Sequence, residues 1–220
     1  MKMQEKTRKQ KTEEQSGKKD AAVHQMEFSM TEQLEHGQKV SNLAYHIAKE
    51  IGLDDEQVCN VTIAGLFHDI GKTEIEQIYS ITDESALLVE EMNSVRQHPN
   101  KGYDILKRHG YNEKICQAVL HHHENSDGSG FPDNLEGWKI PIEASILRVC
   151  DVFCSLVSDR PYRPAFSGKA AMEMMIEDIK KFDIEVFLAF QRIVHRDDKG
   201  TIALPEISED VRGVWKTVWN

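Results

Sequence analysis

No apolar run in this sequence approaches the ~20 residues that a membrane-spanning helix needs, so a spanning segment is not expected. The opening stretch, MKMQEKTRKQKTEEQSGKKD, is charged throughout and lacks the apolar centre of a signal peptide. A cytoplasmic protein is expected. Cysteine is scarce: Cys59, Cys116, Cys150 and Cys154 form no CxxC pair, which leaves no disulfide framework and points to free buried thiols. A net positive charge is also missing: the formal net charge of −10 argues against non-specific binding of long nucleic acid, because neutralising phosphates takes clustered Lys and Arg. A small anionic substrate fits only if the site supplies its own cations. There is little strand alternation and no fixed-period repeat.

What is present is helical periodicity. Residues 1–20 hold seven Lys/Arg and four Asp/Glu with almost nothing apolar, so a disordered tail is expected over 1–21. From about Glu32, apolar residues recur three and four apart at Val40, Leu43, Ala44 and Ile47, and Gly52 punctuates the end. Glu56 to Asp69 repeats the pattern. Further helices are expected at 99–109, 112–122, 141–158, 168–180 and 183–195, with Pro99 in a first turn. Between them, ENSDGSGFPDNLEGWKIP at 124–141 is loop chemistry, and long loops in compact domains are often functional. The main domain is expected over 22–195. The extension at 196–220 carries Val211, Val214, Trp215, Val218 and Trp219 and is expected to be partly helical.

Metal-ligand residue types fall in several separate places. Glu32 and His36 are four apart on one helix and therefore share a face. His68 and Asp69 are adjacent, His98 precedes Pro99, and His121, His122 and His123 run together before Glu124. Asp151 interrupts an apolar helix, RVCDVFCSLV. Singly, each has a structural explanation: a satisfied histidine, a solvated helix end, half of an ion pair. Mixed His and carboxylate ligation suits Fe, Mn or Zn without choosing among them.

Taken in order, HDIGK at 68–72, HP at 98–99, HHENSDGSGFP at 122–132 and DVFCSLVSDRPYR at 151–163 resemble the HD-GYP family. That family is a branch of the HD phosphohydrolases that hydrolyses cyclic di-GMP. The resemblance implies an all-α fold, an HD-domain helical bundle with extra C-terminal helices. It implies two or three divalent metal ions, usually iron and sometimes manganese, on Glu32, His36, His68, Asp69, His98, His122, His123 and Asp151. Asp69 would bridge two metals, and Glu32 goes with a third. His121 falls outside the motif. Lys72, Arg160 and Arg163 match positions expected to hold phosphate; apart from the motif, Lys72 reads as a helix-end cation and the arginines as surface ion pairs.

The implied catalytic residues are His68, Asp69 and Lys72, and the implied products are pGpG and then GMP. A homodimer, and a GGDEF-type cyclase docked through the 124–132 loop, are the partner expectations. The sequence departs from the family pattern at Phe131, where Tyr is usual, and at Cys154, where many members carry an Asp on the substrate side. A thiol is a poor acceptor beside a carboxylate. These two departures favour a competing reading, a cyclic-dinucleotide receptor or cyclase-interacting module without useful turnover. The complete ligand set argues against it, since clustered His and carboxylates are costly to hold without metal. A phosphodiesterase for cyclic GMP-AMP and a mononucleotide phosphohydrolase are the remaining alternatives; the 124–132 loop points away from the latter.

Overall fold

The computed structural model describes residues 31–74, 96–159, 163–194 and 202–218. The chain divides into two units, 1–35 and 36–220. In the first, 31–35 are helical and the tail expected over 1–21 lies outside the described residues. The second unit begins with α1, over 36–50. It closes on Gly52, whose φ of +79° suits a residue without Cβ, with the Leu53 amide donating to Ala48 O at 3.0 Å and the Gly52 amide to Lys49 O at 3.2 Å. Asp54 then caps α2 (Asp55–Phe67): its carboxylate accepts from the Gln57 amide while the Gln57 side chain accepts from the Asp54 amide.

The remaining helices are α3 (His98–Arg108), α4 (Glu113–His121), α5 (Ile142–Leu156), α6 (Gly168–Glu177), α7 (Ile184–Val194) and α8 (Glu209–Val218). Single 3-10 turns lie at Gly137–Lys139 and Ile179–Lys181. The fold is all-α, as the resemblance implied, with an isolated bridge between Asp127 and Glu136 and no extended strand among the described residues. None of their helices is long and apolar enough to cross a membrane. Within the C-terminal extension, α8 rests on α2, with Val211 buried.

Helix α5 is the hub, packed on by α2, α4, α6 and α7. Its Ile146, Leu147 and Phe153 are fully buried with Leu43 and Ile47 of α1, Val61 of α2 and Phe187 and Phe190 of α7. The rings of Phe153 and Phe190 meet edge to face at 4.9 Å. Removing each such side chain from water contributes about 1.5–3 kcal/mol. The same α5 carries Asp151, so one helix both fills the core and supplies a carboxylate.

Candidate metal centre

Contacts that exclude a side chain set the ligands side by side. A Cβ on Gly37 would stand 2.6 Å from Leu66 O, and one on Gly65 would stand 2.8 Å from Ser41 Cα. The α1 and α2 backbones therefore touch, and the His36 and His68 rings come to 5.2 Å between centroids. α2 was expected to run to Asp69 but ends at Phe67. His68 is its C-cap, and a turn over 68–71 carries Asp69. A Cβ on Gly71 would lie 2.0 Å from His98 O. Glycine thus lets that turn sit against the first turn of α3, placing His98 Nε2 3.2 Å from Asp69 Oδ1.

α4 stops at His121, so the three consecutive histidines leave in different directions. His121 Nε2 meets Gln117 Oε1 at 3.0 Å, away from the centre. His122 is fully buried, its ring 5.3 Å from that of His68. His123 stacks on Phe131 at 4.8 Å. From α5, Asp151 Oδ1 reaches His36 Nε2 at 3.0 Å and His68 Nε2 at 3.8 Å.

Two compact ligand groups result, His36/His68/Asp69 and His98/His122/His123, each with ligand atoms within 4.8 Å of one another. Asp69 lies between them, with Oδ2 3.3 Å from His68 Nε2 and Oδ1 3.2 Å from His98 Nε2. His68 Nδ1 is 2.9 Å from Gly65 O and His122 Nδ1 is 2.6 Å from Val119 O. A carbonyl only accepts, so both Nδ1 atoms carry a proton, and each Nε2 presents a lone pair when its ring is neutral. His68 Nε2 and Asp69 Oδ1 are buried without a hydrogen bond. Unpartnered polar atoms in a buried His and carboxylate cluster are costly alone and satisfied by a cation. The residues present therefore fit divalent metal.

The charge balance of the metal-free cluster tells the same story. Burial opposes ionisation of Asp69, but His68 and Lys72 outweigh it and hold the carboxyl well below its usual range. Asp151 behaves likewise, burial being overcome by its contacts to His36 and His68. Burial also opposes protonation of His68, yet Asp69 and Asp151 raise it to about 10. Burial keeps His122 neutral far below the usual range, aided by the neighbouring rings, and brings His123 down to about 3. The cluster thus holds a proton beside two carboxylates where a metal could sit, and neutral histidines on the other side.

The remaining expected residues fall as follows. Glu32 is exposed on the helical residues of the first unit. Lys72 Nζ donates to Asp69 Oδ2 at 2.6 Å. Arg160 lies outside the described residues. Arg163 donates to Ser155 O at 2.7 Å, Leu156 O at 3.2 Å and Pro164 O at 3.0 Å, capping the end of α5, and stacks over Phe166 at 4.7 Å. Cys154 is fully buried in the apolar core, so in this conformation it is packing rather than pocket lining.

Three residues that the motif reading left unassigned hold the 124–132 loop. Glu124 is buried and accepts from the amides of Asp133 (2.7 Å) and Leu135 (3.1 Å). Arg148 Nε donates to Asn125 Oδ1 at 2.9 Å, and Asn125 Nδ2 to Ser129 Oγ at 3.0 Å. The sequence signal was there: an arginine in an apolar helix three residues before Asp151, which needs a buried acceptor.

The HD domain family model matches residues 21–186. The chain belongs to the HD domain family. A cyclic di-GMP phosphodiesterase response regulator, RpfG, of Xanthomonas campestris is 38% identical to this HD domain chain over 139 residues, 61% of the chain and 36% of that protein. A 3′3′-cGAMP-specific phosphodiesterase of Vibrio cholerae is 33% identical over 156 residues, 70% of the chain and 36% of that protein. The chain thus spans about a third of the length of these relatives. Among solved structures, the HDG"Y"P protein Bd1817 of Bdellovibrio bacteriovorus superposes with a TM-score of 0.59 at 18% identity, covering 73% of this chain and 52% of that one. That likeness concerns the HD fold.

Proposed function

We propose that this HD domain is a metal-dependent phosphodiesterase that hydrolyses cyclic di-GMP to pGpG, with GMP as the further product. The observation that carries the reading is Asp69 facing two separate ligand groups with its two oxygens. The printed activities of the similar proteins support the substrate class. His36, His68, Asp69 and Asp151 would hold one ion and His98, His122 and His123, with Asp69, a second; Glu32 would serve a third. Iron is the first choice and manganese the second. When bound, such ions lower the pKa of water toward neutrality and offset charge on a phosphoryl oxygen.

The chain's own residues do the rest. Gly65 O and Val119 O fix the tautomers of His68 and His122 through their Nδ1 protons. Lys72 beside Asp69 brings positive charge to the ligand cluster of a strongly acidic protein, where a phosphodiester needs it. Arg160 is retained as a phosphate contact. The 124–132 loop, braced by Glu124 and Arg148, keeps Phe131 against His123. Trp138 beyond it is 90% exposed, which supports a partner of the GGDEF-type cyclase class docking beside this loop.

Relatives specific for 3′3′-cGAMP favour a second reading in which cyclic GMP-AMP is the substrate. Both are tested by anaerobic purification, metal quantification per chain and chromatography after incubation with each cyclic dinucleotide. At least two metals per chain and linear product from cyclic di-GMP are expected. Stoichiometric metal with no product from either compound would replace hydrolysis by a receptor role.

A further inference from the structure

The cations assigned to phosphate are partly committed elsewhere: Lys72 Nζ is on Asp69, and Arg163 is spent on three carbonyls. Lys39 is different. It lies on α1 one turn after His36, half-buried, and its Nζ has a single partner among the described residues, the Ser158 hydroxyl at 3.4 Å. An ammonium has three donors, and a neutral hydroxyl at that distance satisfies one of them weakly.

Its position is tied to the metal centre by the same two elements. His36 of α1 meets Asp151 of α5 at 3.0 Å, and Lys39 of α1 meets Ser158 just beyond the end of α5. Asp151, Ser155 and Ser158 follow one another at helical spacing, and Ser155 Oγ donates to Asp151 Oδ1 at 3.2 Å. The Lys39 and Ser158 pair therefore sits one step along the α1 and α5 contact from the His36 and Asp151 pair, roughly 4–5 Å on α1 at ~1.5 Å per residue.

A cyclic dinucleotide carries two phosphodiesters across one small macrocycle. If one sits at the metal centre, the other still bears a full negative charge and needs a donor a short distance away. We propose that Lys39, with the Ser158 hydroxyl, forms a subsite for the second, non-reacting phosphate of a cyclic dinucleotide. The inference rests on the phosphodiesterase reading and deepens it: the subsite selects ligands with two phosphodiesters over ligands with one.

The test uses the metal-loaded full chain and the variants Lys39→Met, which keeps the apolar stem, Lys39→Arg and Ser158→Ala. Steady-state KM is measured for cyclic di-GMP and for the single-phosphate diester bis(p-nitrophenyl) phosphate, and cyclic di-GMP affinity by calorimetry under non-turnover conditions. For Lys39→Met the KM for cyclic di-GMP rises about tenfold relative to that for the simple diester, the scale of one charge-assisted hydrogen bond. Lys39→Arg restores most of the loss and Ser158→Ala shows a smaller one.

Equal effects on both diesters, no effect on either, or no rescue by arginine would overturn the subsite. A chain that binds cyclic di-GMP without hydrolysing it overturns the enzyme reading alone, and the tenfold weakening on Lys39→Met is then read in the binding constant. A chain that binds neither cyclic dinucleotide overturns both.

Discussion

At Asp69 two oxygens have different tasks, and Lys72 shares one of them. Asp69→Ala removes the group common to both ligand sets, so metal content falls below one ion per chain and turnover is abolished; a metal-replete, fully active variant would sink the mechanism. A second residue-scale prediction concerns acid and the metal-free protein. His36, His122 and His123 are kept neutral by burial, so their folded pKa values lie below the unfolded value of about 6.5. The unfolded chain then binds more protons, and stability falls as pH drops through 6.5 toward 3, by up to about 1.4 kcal/mol per pH unit per histidine. His68, raised to about 10, works in the other window: its contribution is full below 6.5 and lost as pH rises toward 10. Urea midpoints of chelated protein at pH 6.5 and 4.5 should therefore decline, and His123→Phe should flatten that decline.

Between elements, the decisive contacts are those that glycine permits. A Cβ at residue 71 meets backbone on α3 rather than a flexible side-chain end, so Gly71→Ala must push His98 away from Asp69. A melting curve should register a loss of about 2 kcal/mol or more, with metal content reduced in the same sample. In the loop, Glu124→Gln leaves an amide where two backbone donors expect a carboxylate and should cost about 1–3 kcal/mol. These examples also mark what could be read from the sequence. Apolar spacing located the helices because burial of one face repeats every turn, and α5 carried both Phe153 for the core and Asp151 for the site. The ligand types were legible because four motifs stood in order. The break after Phe67, the identity of Arg148's acceptor and the close approach at Gly71 were not, since each depends on which residue lies opposite. Cys154 illustrates the same limit: position 154 reads as site-facing by motif, yet the helix turns that thiol into the core.

Across the whole molecule, the metal centre and the C-terminal helix act on the same two helices, α1 and α2. Trp215 Nε1 donates to Ser41 Oγ at 2.9 Å, and Ser41 Oγ donates to Thr62 O at 2.6 Å, so α8 pins α1 to α2 near the point where Gly65 lets them touch. Asn42 adds a bond to Pro205 O at 2.6 Å. Metal bound at a thousandfold over its dissociation constant stabilises the folded state by about 4 kcal/mol. For a domain of this size that is roughly 8–16 °C in melting temperature. Chelation should therefore lower the melting point by that order, and Asp69→Ala, which removes the group common to both ligand sets, should shrink the difference between chelated and loaded protein. Trp215→Phe keeps the apolar contact and removes the hydrogen bond, costing about 1 kcal/mol. If α8 merely adds stability, that cost is the same with and without metal. If it helps hold α1 and α2 at ligand distance, the variant also binds metal more weakly, and its deficit is larger in the loaded protein than in the chelated one. Differential scanning calorimetry of the two proteins in both states measures that difference. We expect the coupled result, because Ser41 lies little more than one helical turn from His36 on α1.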